Sequence, residues 1–324
     1  MSGAAVTGPA VSGAADRVAE QLQGAISGTV ARDAPLAPGT SFRLGGAAAV
    51  LVEAASEEDL VTAGRIAATA GLEVLALGRG SNVLISDRGF PGVVVRLGKG
   101  FEWIHAAPGG AEAGGAAPLP RLANWAARRG LSGLEFAIAI PASLGGAVRM
   151  NAGAHNSSFS AVLESARIYH LGAAAAREIP TSRLAMGYRS TGLGPADIVC
   201  SARLRLMPAD PAEIAERIQR FREHRAAAQP AEPRNAGSMF RNPAAGGPPA
   251  GRLIESAGLK GFRIGGAEVS ARHANFFLAR PGATAQDVYQ LLAAVQARVQ
   301  EASGVRLAPE VRLIGAFEGP ELSG

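Results

Sequence analysis

The sequence predicts an α+β protein of about two domains, and three observations carry that expectation. Its 324 residues, 48% hydrophobic and 18% charged, suit a folded chain at roughly 150 residues per domain. One strongly patterned helix is followed at once by several short apolar strands between Gly-rich turns. The chain then closes on a long, well-capped helix.

The first 15 residues are rich in Gly, Ala and Ser and are expected to form a disordered tail. They carry no Lys or Arg ahead of a compact apolar core, so they lack the layout of a signal peptide, and the expected location is the cytoplasm. Val18, Leu22 and Ile26 sit at helical spacing, which starts order near Asp16, and Thr29 to Leu36 reads as extended. Ser56 with Asp59 forms a capping-box pattern, followed by the apolar face Leu60, Ala63, Ile66, Ala67 and Ala70 and a stop at Gly71. Val74–Leu77, Val83–Ile85 and Val93–Leu97 read as strands. A second helix is expected over Leu119–Arg129, ending at Gly130. The next segment, Leu131 to His155, holds too much Gly and Pro for any long regular element.

Ile198, Cys200, Ala202, Leu204 and Leu206 alternate with other residues as in a half-buried strand, which makes Cys200 a buried structural thiol. Asp210 as N-cap and Pro211 at the first helical position start a helix with Ile214, Ile218 and Phe221 on one side. The expected domain boundary falls here, with residues 16–207 before it and 208–316 after it. The last helix runs from Ala285 to Ala302, capped by Thr284 and Asp287, stopped by Gly304, and buried through Val288, Leu291, Leu292, Val295 and Val299. A C-terminal tail, 317–324, follows.

Several function classes are excluded. The longest apolar stretches, Gly45 to Val52 and Phe136 to Val148, are short or broken, whereas a spanning helix needs about 20 apolar residues. Cys200 is the single cysteine, so no intrachain disulfide and no zinc site with two thiolates can form. His105, His155, His170 and His224 make no metal pattern, and no metal is expected. The pI near 10.1 reflects arginines scattered along the chain, with Lys99 and Lys260 the only lysines, and a net charge of only +5. Nucleic acid is therefore not an expected partner.

Gly78-Arg79-Gly80-Ser81-Asn82 lies between two short strands, where its backbone N–H groups suit a phosphate. Val83 breaks the dinucleotide G-x-G-x-x-G, there is no P-loop, and alone this segment reads equally well as a hairpin turn. A second segment, Ile140-Pro141-Ala142-Ser143-Leu144-Gly145-Gly146-Ala147, leads into Arg149-Met150-Asn151-Ala152-Gly153. Two stretches of small residues suit the close approach of backbone to a flat ring and a diphosphate, which points to a large nucleotide cofactor.

Through these motifs and others along the chain, the sequence resembles the UDP-N-acetylenolpyruvoylglucosamine reductases of bacterial cell-wall synthesis. The likeness runs from about Leu22 to Gly315. It includes Thr40-Ser41-Phe42-Arg43-Leu44-Gly45-Gly46-Ala47, Asp87-Arg88-Gly89-Phe90, Gly130-Leu131-Ser132-Gly133-Leu134-Glu135-Phe136 and Tyr188-Arg189-Ser190. It continues through Ala236-Gly237-Ser238-Met239-Phe240-Arg241-Asn242-Pro243, Ala257-Gly258-Leu259-Lys260-Gly261, His273-Ala274-Asn275-Phe276 and Pro309-Glu310-Val311-Arg312. The resemblance implies a two-subdomain FAD-binding fold of the vanillyl-alcohol-oxidase type with a C-terminal α+β substrate domain.

It also implies noncovalent FAD, held by Arg43, Gly78, Arg79, Gly80, Ser81, Asn82, Ile140, Pro141, Ser143, Gly145, Gly146, Arg149, Asn151, Ala152 and Gly153. NADPH would donate the hydride, and a UDP-sugar would be reduced in peptidoglycan precursor synthesis. The implied catalytic residues are Arg189, Ser238 and Glu310, and the implied substrate contacts are Tyr188, Arg225, Asn242 and His273. Partners would be small molecules only, and the protein a monomer. Ala139, Ala142 and Arg79 depart from the family's usual glycines, and the scarcity of tyrosines implies the loop-less subtype.

The chemistry agrees with these roles. Hydride addition to an enol ether beside a carboxylate pushes charge into that carboxylate, so the site needs a fixed cation and a proton donor. Arg189 offers the two-point fork and Ser238 the hydroxyl. Taken alone, each has a plainer reading: Arg189 as a surface residue, Ser238 as a turn residue, Glu310 as a salt bridge to Arg312. The rival enzyme class is a flavin oxidase of small alcohols, which often tethers its flavin to a His or Cys that the first glycine loop lacks.

Overall fold

The computed structural model describes residues 9–243 and 247–322. The first unit holds α1 (Pro9–Gln23), β1 (Thr29–Pro35), β2 (Ala47–Ala54), α2 (Glu57–Thr69), β3 (Val74–Ala76), β4 (Val83–Ile85) and β5 (Phe90–Leu97). Its sheet has the order β1-β2-β5-β3, with β2 and β3 both parallel to β5. Val50, Val52, Val93 and Val95 face the apolar sides of α1 and α2. Helix α1 starts seven residues before the expected onset of order at Asp16: Pro9 opens it, and Ala15 is already buried beside Val18 and Leu22. Residues 1–8 of the expected tail lie outside the described residues.

The second unit holds β6 (Ile104–Ala107), β7 (Gly110–Gly114), α3 (Leu119–Ala127), β8 (Leu131–Ser132), α4 (Leu144–Arg149), β9 (Gly153–Ala154), β10 (Ser157–Ser158), β11 (Leu163–His170), β12 (Arg177–Pro180), β13 (Asp197–Arg205), β14 (Met207–Pro208) and α5 (Pro211–Ala228). Its antiparallel sheet runs β12-β11-β13-β7-β6. The simple alternation expected for β13 fails because the pairing with β11 shifts between Arg167 and Ile168. Ile198 and Cys200 therefore join the core shared with the first unit, while Val199, Ala202 and Leu204 face the second unit's own core. Burial pushes the Cys200 thiol up to about 12, which leaves it inert as a nucleophile. Helix α5, grouped by the sequence with the C-terminal unit, sends Ile214 and Ile218 into the second unit's core instead.

The third unit holds α6 (Ala250–Ser256), β15 (Arg263–Ile264), β16 (Ala267–Val269), β17 (Phe277–Ala279), α7 (Ala285–Ser303) and β18 (Arg312–Ile314). The expected box on α7 is present: Asp287 N donates to Thr284 Oγ1 at 3.0 Å, Thr284 N donates to Asp287 Oδ2 at 3.0 Å, and Gly304 takes a left-handed φ of 72°. Two contacts return this unit to the first. Strand β18 pairs in parallel with β4, and the Asp87 carboxylate accepts from Ala285 N and Gln286 N at 2.9 Å each, a second cap on α7. The expected tail is docked through residue 322, with Phe317 stacked on Tyr289 and Tyr289 Oη donating to Pro320 O at 2.7 Å.

On α2 only half of the expected box forms. Ser56 Oγ accepts from Asp59 N, but the Asp59 carboxylate turns to Ser27 N, Gly28 N and Ala55 N at 2.7–2.9 Å. Burial alone would raise this carboxyl's pKa, and the hydrogen bonds from Ser27, Ala55 and Gly28 outweigh it and leave it lowered. As pH falls, the unfolded chain thus takes up this proton first, and stability present above the unfolded value of about 4 is lost as pH drops through the folded one. Asp59→Asn should remove that share of the acid dependence and cost about 2 kcal/mol near neutrality, measured by urea unfolding between pH 3 and 7.

Candidate functional site

The three units meet around a cleft of about 270 Å³. It shares Gly78, Arg79, Ser143, Gly146 and Arg149 with an adjoining cavity of about 350 Å³. Its walls come from the loop between β3 and β4, from residues 140–154, from the turn bearing Arg189, from the end of α5 and from the strand-like segments 235–238 and 310–312.

Gly80 must be glycine: its φ is +61°, and a Cβ there would stand 2.2 Å from Gly39 O. The N–H groups of residues 78–82 have no protein acceptor among the described residues, so the loop presents bare donors to the cleft. Ser143 caps α4. Gly145 and Gly146 have different reasons to be glycine. A Cβ on Gly145 would approach Val199 O at 3.0 Å and Gly115 O at 3.1 Å, so its smallness lets α4 lie against β13. A Cβ on Gly146 would meet only Ser143 Oγ at 3.5 Å and otherwise enter the open space.

Arg189, Ser238 and Glu310 come together although 121 residues separate the first from the last. Arg189 sits at φ +53° in the Gly187–Ser190 turn, a strained setting for a side-chain-bearing residue. Its Nε donates to Glu310 Oε1 at 2.9 Å and its Nη2 to Gly153 O at 2.7 Å. Glu310 N donates to Met239 O at 2.8 Å, which sets Glu310 beside the segment carrying Ser238. Burial raises the Glu310 carboxyl pKa, with the Arg189 and Arg241 charges pulling it partly back. The alternative pairing with Arg312 does not occur among the salt bridges. Ser238 is held by its bridge to Phe276 and by Asn275, whose buried amide accepts from Phe240 N at 2.9 Å and donates to Phe240 O at 2.8 Å.

Arg149, Arg225 and Arg312 also line the cleft, with no salt-bridging carboxylate among the described residues. Burial, and then the Arg312 charge, pull Arg149 down to about 10; it stays cationic at neutral pH. Burial also lowers Arg225, whose Nη1 donates to Ala139 O. The cleft is thus a positive, glycine-walled slot, which suits diphosphates.

Of the residues expected from the sequence, Gly78 to Asn82, Ile140, Pro141, Ser143, Gly146, Arg149, Ala152, Gly153, Arg189, Arg225, Ser238 and Glu310 line the cleft, and Gly145 lines the adjoining cavity. Five others stand outside the cleft. Arg43 is an exposed residue at φ +55°. Asn151 is turned into the protein, donating to Gly187 O at 2.8 Å and accepting from Ser160 N at 2.9 Å, so it braces the Arg189 turn. Tyr188 is 55% exposed beneath the Arg189 guanidinium. Asn242 accepts from Ala250 N at the start of α6. His273 accepts from Asn275 N, and burial lowers its pKa. Sequence reasoning missed Gln229, Asn235, Phe276 and Arg312 as cleft residues. The last two stood inside motifs already noted, and only the fold shows which way they face.

A glycine whose Cβ would fill the slot, unpaired backbone donors and arginines without salt-bridging carboxylates among the described residues fit a dinucleotide such as FAD. Residues 48–170 match the FAD-binding domain family, which defines the chain as an FAD-dependent oxidoreductase. Residues 229–314 match the C-terminal domain of UDP-N-acetylenolpyruvoylglucosamine reductase. The chain is 43% identical over 302 residues to the UDP-N-acetylenolpyruvoylglucosamine reductase of Synechococcus sp. (strain JA-3-3Ab), covering 92% of this chain and 95% of that one. It is 44% identical over 292 residues to that of Acidiphilium cryptum, covering 90% and 93%. The crystal structure of the Thermus caldophilus enzyme superposes with a TM-score of 0.76 at 35% identity, covering 90% of this chain and all of that one. The chain belongs to the UDP-N-acetylenolpyruvoylglucosamine reductase family.

The two glycines of α4 should separate in experiment. Gly145→Val should lower the melting temperature by several degrees, because it forces α4 off β13. Gly146→Leu should fold with nearly normal stability yet purify with less flavin, read from the ratio of 450 nm to 280 nm absorbance. Equal flavin content in Gly146→Leu and wild type would show that the cofactor does not use this space.

Proposed function

We propose that Arg189, Ser238 and Glu310 carry out, in this chain, the reduction of the enolpyruvyl group of UDP-N-acetylglucosamine enolpyruvate to the lactyl ether of UDP-N-acetylmuramate. The observation that carries this reading is the Arg189–Glu310 contact formed in the same cleft as Ser238. Bound FAD, reduced by NADPH, supplies the hydride. Gly78 to Asn82, Gly146 and Arg149 hold the cofactor through backbone donors and fixed charge. Arg189 has five N–H groups and uses two on Glu310 and Gly153, which leaves three for the substrate carboxylate. It meets the charge that hydride addition pushes into that carboxylate, without reorganising at that moment. Ser238 delivers the proton to the neighbouring carbon, and Glu310 fixes the plane of the Arg189 guanidinium. Arg225 takes the UDP diphosphate.

The site is complete within one chain, which supports a monomer, and both the UDP-sugar and NADPH are metabolites of the cytoplasm, which supports that location. Among the described residues no helix is long and apolar enough to cross a membrane. The Gly187–Ser190 turn closes on itself, which supports the loop-less subtype.

Stopped-flow absorbance separates the two half-reactions. Ser238→Ala should bind FAD and be reduced by NADPH at close to the normal rate, then be re-oxidised by the enolpyruvyl substrate slower by roughly 10²- to 10⁴-fold. Arg189→Ala should spare the first half-reaction, and it should weaken substrate binding as well as slowing the second. Slow reduction by NADPH with normal re-oxidation in Ser238→Ala would remove Ser238 as proton donor.

A further inference from the structure

Gln229 ends α5 and lines the cleft, and its Oε1 is buried with no hydrogen-bond partner. A buried amide oxygen is costly to leave unmet, and such atoms are rare in folded proteins. Nothing local explains it. The helix end is secured by the main chain, where Gln229 N donates to Arg225 O at 2.9 Å, so the side chain is not needed as a cap. The amide of Asn235, also on the cleft, donates to Glu232 O at 2.8 Å and not to Gln229.

The position narrows what the oxygen is for. Gln229 follows Arg225 by four residues, one helical turn, so the two side chains leave α5 on the same side and both reach the cleft. Along the chain, its next neighbours in the cleft are Asn235 to Ser238, not the two glycine-rich segments. A cation followed one turn later by a bare carbonyl matches a ligand that carries a phosphate and, next to it, a group with an N–H or O–H. A UDP-sugar has that pattern on both sides of its diphosphate.

We infer that the Gln229 carboxamide oxygen accepts a hydrogen bond from an N–H or O–H of the UDP-sugar and so selects for a donor-bearing group beside the diphosphate held at Arg225. This rests on the reading of the cleft as the UDP-sugar site. The oxygen is closed off in the free protein, so the Gln229 side chain turns toward the cleft to meet the ligand's donor, and the hydrogen bond it then makes replaces no bond to the protein. It also rejects analogues that lack the donor, because they leave the oxygen stranded.

Gln229→Met keeps the length and shape of the side chain and removes the acceptor. The free variant should melt at the wild-type temperature or slightly above it, because an unmet buried polar atom has gone. The KM for the enolpyruvyl UDP-sugar should rise on the order of 10- to 100-fold, with kcat within about threefold of wild type. FAD content and the KM for NADPH should be unchanged. The rise in melting temperature given by saturating UDP-sugar should shrink in step. A marked fall in the free variant's melting temperature would make Gln229 a structural residue and overturn the inference. So would an unchanged KM for the UDP-sugar, or a loss confined to NADPH or FAD. A wild-type protein that does not oxidise NADPH with the enolpyruvyl substrate would defeat the functional reading and this inference with it, an outcome distinct from an active wild type with an indifferent Gln229→Met.

Discussion

The bond between Arg189 and Glu310 joins the parts of the molecule that the rest of the structure must bring into register. One guanidinium reaches Glu310 from the third unit and Gly153 O from the second, and Asn82 of the first unit donates to Glu310 O at 3.2 Å. All three units therefore meet at Glu310, the second through the arginine on its carboxylate and the first through its main-chain carbonyl. Other features serve that convergence. Strand β18 pairs with β4 two residues after Glu310, Asp87 caps α7 across the same seam, and Asn275 ties down the segment between Ser238 and Arg241. A buried ion pair gains little net stability, because desolvation offsets much of the attraction. Its value here is geometric.

Backbone strain is concentrated around the same point. Arg189 and Asn151, both at positive φ, are joined through the turn at Gly187. Asparagine enters this region more readily than arginine, so it is Arg189 above all that must be held by its surroundings. Asn151 does the holding through two hydrogen bonds, and its place in the Gly-rich motif therefore reflects support of the arginine rather than contact with a ligand. The same division runs through the glycines, with Gly145 serving helix packing and Gly146 facing the slot.

Most of the fold was legible where local rules act alone. The caps at Thr284 and Asp210, the stop at Gly304 and the strand at Val83–Ile85 follow from side-chain chemistry within a few residues. What was not legible depends on pairing at a distance. The bulge in β13, where Cys200 has no partner on β11, reverses which face Cys200 shares with its neighbours, and no Gly or Pro within the strand announces it. Helix α5 has an apolar side that fits either neighbouring unit, and only the three-dimensional path shows it packed against the second. In the site, motif resemblance found the residues that meet substrate chemistry, because their types are dictated by charge and proton transfer. It did not separate Asn242 and His273, which satisfy backbone donors, from Arg312 and Phe276, which face the cleft.

The charge layout sets a constraint on how the cleft is filled. Arg149, Arg225 and Arg312 line it without carboxylate partners, while its one buried acid, Glu310, is paired with Arg189. Burial lowers both Arg149 and Arg225, and the Arg312 charge lowers Arg149 further, with Asp197 pulling it partly back. Diphosphates relieve both costs, so anion binding and the closing of the three units around the cleft should favour each other. Arg189 is the exception, neutralised in advance by Glu310, and it is the one arginine whose orientation must be fixed before a carboxylate arrives. The walls are built to attract anions, and the Arg189–Glu310 pair is built to aim at one.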